Sequence, residues 1–297
     1  MLKKGLILLC VYIACSIASL AGATAQSAIA DKALPEQQTL KQENLVYLYA
    51  DTGLIIIELA PFVAPQHVLQ FKALVNEGFY DDLDFYRVID GFVAQGGDIT
   101  EKKASKNKGE LAAEFVRQAT QNTDFVVVQS PEFLARETGF ISGFPAGRSN
   151  IDKQEWLIHC PGAVAMARNN DADSGTTDFY IVIGHAPRHL DRNMSVFGQV
   201  IHGMDKVQKM QRGNPNEGGG VIENVTLRTK IRNAKLGDSV PTIDQLNFIR
   251  NEADGAPFQQ RLSSARALDN DFFHYKGTGN IDVCYHRPRL MIIEDKK

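Results

Sequence analysis

Basic residues are not in surplus in this 297-residue chain: 32 Lys and Arg stand against 35 Asp and Glu, a formal net charge of −3. A protein held to nucleic acid through its phosphates carries the opposite imbalance, so a nucleic-acid partner is not expected. No internal repeat and no low-complexity tract is present, which excludes solenoid and linker-type architectures. Cysteine is scarce at four residues, and neither Cys160 nor Cys284 has a second Cys or His at zinc-ligand spacing, so no metal is expected. Only one apolar run is of membrane length, Gly5 to about Ala21, and no basic stop-transfer cluster follows it. What the chain does have is 44% hydrophobic and 23% charged residues, which is globular and neither disordered nor collagen-like. With 24 Gly and 11 Pro, turns are frequent, favouring a β-rich or mixed fold over a helical bundle.

The first residues read as an export signal. Lys3 and Lys4 precede the apolar run, and Ala23-Thr24-Ala25 offers the small–x–small pattern of a cleavage site before Gln26. Residues 1–25 hold two lysines and no acid, so their removal takes the formal charge from −3 to −5. Secretion across an inner membrane, into the periplasm of a Gram-negative source, is the expectation, with no stable membrane insertion after cleavage. Cys10 and Cys15 leave with the signal. Cys160 and Cys284 remain, either as one disulfide tying the tail to the main domain or as two buried thiols.

Residues 26–44 are small and polar and read as a flexible lead-in. Leu45–Tyr49 and Leu54–Leu59 flank the turn Asp51-Thr52-Gly53, the pattern of a hairpin. Pro65 opens a helix where its missing N–H is harmless, Val68, Phe71, Leu74 and Val75 form its apolar stripe, and Gly78 stops it. Strands follow at Phe85–Ile89, Gly91–Gln95, Phe125–Val128, Gly162–Met166, Phe179–Ile183, Val196–Ile201 and Val221–Ile231, with a short helix at Met204–Met210. Residues 99–112 are Lys-rich and read as an exposed loop. The Gly- and Pro-rich stretch Gly139–Arg148 reads as an ordered surface loop, either flanking a groove or packing on the tail. From Arg232 on, helices are expected near Thr242–Asn251 and Pro257–Leu268. Many separated β runs with two helices among them point to a mainly β fold built as a closed β-barrel.

Three collinear blocks then carry a resemblance. The first is Ala64-Pro65-Gln66-His67-Val68, Gly78-Phe79-Tyr80-Asp81 and Phe85-Tyr86-Arg87 through Phe92-Val93-Ala94-Gln95-Gly96-Gly97-Asp98. The second is His159 through Arg168, with Asp173-Ser174 and Phe179-Tyr180-Ile181, and the third Leu190-Asp191, Val196-Phe197-Gly198-Gln199-Val200 and Gly203-Met204-Asp205. Together they resemble cyclophilin-type peptidyl-prolyl isomerases over residues 45–231, with an insert at about 99–160 and a helical C-terminal extension at 232–297. The resemblance implies a closed eight-stranded antiparallel β-barrel capped by two α-helices and rotation about Xaa–Pro bonds without a cofactor. Its partners would be unfolded or flexible proline-containing polypeptides, met by a monomer.

Carried over residue by residue, the resemblance makes Arg87 the guanidinium donor at the prolyl amide and Gln95 the residue that orients it. Phe92, Val93, Tyr180 and Leu190 would form an apolar slot for the proline ring, with Ala167 on the groove wall. Departures from the family pattern stand at Asp178, where a Gln is common, at Tyr180 for a Phe, at His189 for a Trp, and at Met194 for a His. The carboxylate of Asp178 would either hold Arg87 in a charge-assisted pair that competes with substrate, or position it. Tyr180 would add a hydroxyl to the slot. His185 and His189 share a metal-like spacing, but Pro187 between them breaks a regular helix. The alternative to an isomerase is a chaperone module that keeps the groove and little or none of the catalysis.

Overall fold

The computed structural model describes residues 37–119, 124–185 and 187–293. The segment read as a signal, residues 1–25, lies outside the described residues. Regular structure begins with β1 (Gln37–Thr39), β2 (Leu45–Ala50), β3 (Gly53–Leu59), α1 (Pro65–Asn76), β4 (Asp84–Val88) and β5 (Val93–Gly97). The central region adds β6 (Arg117–Gln118), β7 (Phe125–Gln129), β8 (Glu137–Ile141), β9 (Phe144–Ser149) and β10 (Gln154–Leu157). Then come β11 (Ala163–Met166), β12 (Phe179–Val182), β13 (Val196–His202), α2 (Met204–Gln208) and β14 (Thr229–Leu236). The tail holds β15 (Asn247–Asn251), α3 (Ala256–Ala267) and β16 (Leu290–Ile293).

Eight strands close an antiparallel barrel in the order β11-β12-β5-β4-β14-β2-β3-β13. The β2–β3 hairpin is paired from Leu45↔Glu58 to Ala50↔Gly53, as two apolar runs on either side of a tight turn require. Inside, Phe71 from α1 packs its ring 4.9 Å from Phe197, 5.1 Å from Tyr80 and 5.4 Å from Phe179, while Val207 of α2 joins the same core. The N-terminus of α1, opened by Pro65, is met by the Glu114 carboxylate. That group accepts the N–H groups of Gln66 and His67 at 3.0 Å each and faces His67 Nδ1 at 2.7 Å. An anion there satisfies orphan donors and complements the helix dipole.

The central region departs from the expected surface loop. It is a five-stranded antiparallel sheet, β6-β10-β9-β8-β7, in which Gly139 and Gly147 are strand residues. A Cβ on Gly139 would meet the Val126 carbonyl oxygen at 1.9 Å, and one on Gly147 would meet the Trp156 indole at 2.6 Å. The glycines mark close approach rather than a turn. One face of the sheet, with Phe125, Ile141, Phe144 and Leu157, packs on the barrel's outer residues; the other, with Phe140, Trp156 and Ile158, packs on Phe258 and Leu262 of α3.

The tail also departs from expectation. A helix forms over Ala256–Ala267, but Thr242–Asn251 holds only a 3-10 turn at Thr242–Asp244 followed by strand β15. That strand pairs with β1 on one side and β16 on the other, so residues 37–39 of the expected flexible lead-in are an ordered edge strand and Leu40 is buried. The last barrel strand begins at Thr229 and ends at Leu236, later than expected; Val221–Arg228 holds only an isolated bridge from Val221 to Arg87 and a 3-10 turn at Val225–Leu227. Of the tail aromatics, Phe248 and Phe258 are buried, whereas Phe272 and Phe273 are exposed. Cys160 and Cys284 form a disulfide, with Cα atoms 5.1 Å apart and a sequence separation of 124.

Candidate functional site

One cross-strand row on the outside of the barrel assembles most of the site. Arg87 of β4 stands opposite Gln95 of β5, which stands opposite Tyr180 of β12, which stands opposite Ala165 of β11. Directly paired residues share a face, so this row points one way. The interior neighbours Val88, Ala94, Phe179 and Ile181 point the other way into the barrel core. The pairing of β4 with β5 slips between Asp84 and Arg87. This bulge places the adjacent residues Tyr86 and Arg87 both at Gln95, although strict alternation would send them to opposite faces.

Arg87 is half-buried and held at two points. Its Nε donates to the Gly219 carbonyl at 2.8 Å and its Nη1 to Gln95 Oε1 at 3.1 Å. Among the described residues no carboxylate lies within ion-pair distance of it. Asp178 does not pair with Arg87. Its Oδ2 accepts the Tyr86 hydroxyl at 2.5 Å, its Oδ1 accepts the Asp98 N–H at 2.9 Å, and Gln95 Nε2 donates to the Tyr86 hydroxyl oxygen at 2.6 Å. A continuous chain therefore runs Asp178, Tyr86, Gln95, Arg87. Gly97 makes room for it: its φ is +140°, and a Cβ there would fall 2.1 Å from Asp178 Oδ1. Burial raises the Asp178 pKa, and burial together with the Asp178 charge raises that of Tyr86, which keeps the phenol protonated.

The apolar part lies beside this chain. Val93, Tyr180, Phe92, Leu190, Ala167 and Met194 belong to one hydrophobic cluster on the barrel's outer surface. Leu190 ends a 3-10 turn at Arg188–Leu190, and the His189 ring from that turn stacks on Phe92 at 6.3 Å and 14°. Tyr180 does not bring a free hydroxyl to the slot. Its oxygen lies 3.0 Å from Nε2 of the fully buried His159, whose Nδ1 lies 2.9 Å from Asp191 Oδ1. The acceptor-only Asp191 fixes one direction: Nδ1–H donates to Asp191, and the Tyr180 hydroxyl faces the other ring nitrogen. The slot keeps an apolar face toward solvent, and its one phenol is bonded from behind. A cavity of about 230 Å³ opens next to it, lined by Tyr86, Gln95, Asp98, Ala167 and Asp178 among others.

The sequence expectations named Arg87, Gln95, Phe92, Val93, Ala167, Tyr180, Leu190, Asp178 and His189, and all nine lie on or next to this surface. Tyr86 and His159 were missed. Tyr86 was hidden by the bulge, since its number predicts an inward side chain. His159 left one signal, its place at the head of the second sequence block.

The fold and the row define a barrel with a guanidinium beside an apolar groove on its outer face. Residues 45–235 match the family described as "Cyclophilin type peptidyl-prolyl cis-trans isomerase/CLD". A probable peptidyl-prolyl cis-trans isomerase of Brucella suis is 32% identical over 205 residues, which is 69% of this chain and 90% of that protein. Peptidyl-prolyl cis-trans isomerase B of Bacillus subtilis is 32% identical over 170 residues, 57% of this chain and 90% of that protein. The crystal structure of cyclophilin AquaCyp293 from Hirschia baltica superposes with a TM-score of 0.71 at 27% identity, covering 88% of this chain and 95% of that one. That span exceeds the family match, so the likeness takes in residues outside 45–235. The chain belongs to the cyclophilin-type peptidyl-prolyl cis-trans isomerases, and rotation about Xaa–Pro bonds is its reaction.

Proposed function

We propose that Arg87 is the catalytic donor of this isomerase, that Gln95 orients it, and that Phe92, Val93, Tyr180 and Leu190 hold the proline ring, with Ala167 and His189 on the groove walls. The amide resists twisting by about 18–20 kcal/mol, and its uncatalysed rotation takes tens of seconds. No nucleophile is needed; the enzyme has to bind the twisted amide better than either planar form. A guanidinium does this by donating as the prolyl nitrogen loses conjugation, and it stays charged throughout. The observation that carries the assignment is the doubly anchored Arg87, free of any carboxylate among the described residues and set beside the apolar slot. In a protease-coupled assay on short Xaa–Pro peptides, Arg87→Ala should lower kcat/KM by about 10²–10³-fold. An unchanged rate would remove Arg87 from the mechanism. The chaperone alternative drew its support from a competing Asp178–Arg87 pair, and the bond of Asp178 to Tyr86 removes that support.

The substrates in this reading are flexible proline-containing segments of exported proteins, whose folding the protein assists outside the cytoplasm as a monomer. The export signal and the Cys160–Cys284 disulfide support an oxidising compartment such as the periplasm. Mature protein recovered from such a compartment should begin at Gln26 by N-terminal sequencing. Recovery of uncleaved chain from the cytoplasm would overturn this assignment.

A further inference from the structure

Leu190, one wall of the proline slot, stands on a 3-10 turn and not on a strand. The backbone N–H groups of Leu190, Asp191 and Asn193 donate to the carbonyls of Pro187, Arg188 and Leu190, all within the turn. Side chains therefore set its distance from the barrel wall. His189 rests on the Phe92 ring, and Arg168 donates twice to the Asn193 carbonyl at the far end. The Asp191 carboxylate, next to Leu190, is the buried fastening. Its Oδ1 accepts the backbone N–H of His159 at 3.0 Å and the Nδ1–H of the same residue at 2.9 Å. Its Oδ2 accepts from Nε of Arg188, whose Nη1 donates to Glu132 on the β7–β8 connection at 3.3 Å.

His159 carries this fastening across to a second wall of the slot. Its Nε2 stands 3.0 Å from the Tyr180 hydroxyl, and its ring lies nearly parallel to the phenol, at 16° with centroids 6.1 Å apart. One imidazole thus joins the residue beside Leu190 to Tyr180 on β12. The ring is planar and has no internal torsion, so its two nitrogens hold a fixed separation. His159 is 0% and Tyr180 4% exposed, which leaves no water at hand to replace a lost bond. The Arg87 chain does not pass through these residues, so the two networks can be cut separately.

We propose that His159 is a positioning residue that fixes the width of the proline slot and so makes the enzyme selective for a five-membered ring at the rotating bond. The inference rests on the assignment of that slot to the proline ring. The ring stays in the slot while the amide beside it twists, so the slot contacts are common to the planar and twisted forms and act on binding more than on the rotation itself. An apolar pocket discriminates over a single methylene by about 10–200-fold when its walls are held in place. With the brace cut, the Leu190 turn is free to move outward from Tyr180, and a ring one methylene larger enters.

The test compares a four-residue proline peptide with the same peptide carrying pipecolic acid, whose ring is one methylene larger, in the wild type, Tyr180→Phe, His159→Asn and the double variant. Catalysed exchange between the cis and trans forms is followed by NMR, and the intrinsic difference between the peptides cancels when variant is set against wild type. The wild type should favour proline by at least about tenfold in kcat/KM, and each single variant should cut that ratio by about threefold or more. For the proline peptide the loss should fall on KM more than on kcat. The double variant should lose no more selectivity than the poorer single one, since both cut one bridge. Simple destabilisation would slow both peptides alike and leave the ratio where it was. Tyr180→Phe removes one oxygen and keeps the ring, so it decides the matter should His159→Asn not fold. An unchanged ratio in folded Tyr180→Phe overturns the proposal, as do losses of selectivity that multiply in the double variant. Phe92→Ala separates the two readings. If it leaves KM for the proline peptide unmoved, the ring does not bind in this slot and the proposal falls with the slot; if it raises KM while the ratio holds in Tyr180→Phe, the slot stands and the brace alone is overturned.

Discussion

The chain from Asp178 to Arg87 has a direction, and breaking that direction should cost turnover. An ionised carboxylate only accepts, so Tyr86 must donate to Asp178 and its oxygen must accept from Gln95 Nε2. That leaves Gln95 Oε1 facing Arg87, where it accepts from Nη1. Asp178→Asn permits the opposite order: an amide N–H toward Tyr86, the phenol toward Gln95, and the Gln95 NH₂ group turned against the guanidinium. Tyr86→Phe cuts the chain in the middle, taking one donor from Asp178 and leaving Arg87 itself unaltered. A hydrogen bond to a charged group contributes about 1.5–3 kcal/mol. If that bond presets Arg87 for the twisted amide, losing it lowers kcat/KM by about 10- to 150-fold. Each single variant should fall in this range in the protease-coupled assay, and the double variant should be no worse than the poorer single one, since both remove one arrangement. The pH profile supplies a second readout. Burial raises the Asp178 pKa, so as pH falls the residue gains its proton at a higher pH than an ordinary aspartate would, and the direction is lost there. Wild-type kcat/KM should therefore decline on the acid side through that raised value, and the decline should vanish in Asp178→Asn. Wild-type turnover in a folded Tyr86→Phe protein, or losses that multiply in the double variant, would refute the reasoning.

Two further outcomes concern the layers around the barrel. Arg250 of β15 is 3% exposed and forms a two-point pair with Glu58 of β3, 7% exposed, while its Nη1 also donates to the Ser142 carbonyl at 2.8 Å. Arg250→Ala strands a buried carboxylate, and urea unfolding should show a loss of about 3–5 kcal/mol. Loss below about 1 kcal/mol would mean that water replaces the guanidinium. Cys160→Ser opens a loop closed across a sequence separation of 124 and should cost about 3–5 kcal/mol in the same experiment while leaving short-peptide turnover within about twofold.

The barrel was legible because its signals are local. The β2–β3 hairpin has its turn between two β-branched runs, and α1 shows its stripe and its opening proline within twelve residues. The site was legible because most of its residues fall in contiguous blocks. The parts that were not legible depend on distant partners. Asn247–Asn251 was expected to be helical, yet its alternation, with Phe248 and Arg250 inward, makes sense only once Glu58 is present to receive Arg250. Gly139 and Gly147 read as loop residues until Trp156 and the Val126 carbonyl are seen to lie against them. Tyr86 escaped because a bulge is a property of the pair of strands and not of either one.

The Glu58–Arg250 pair also sets an order of events during synthesis. Glu58 leaves the ribosome 192 residues ahead of Arg250 and waits for it. Until then the wall formed by β3 holds a carboxylate whose counter-charge has not been made, and β1 likewise waits for β15. Before Arg250 is added, Gln199 Nε2 is the side chain bonded to that carboxylate, at 2.9 Å, and it brings no charge. The barrel wall at β3 is thus completed electrostatically by a residue of the tail, 192 positions later in the sequence.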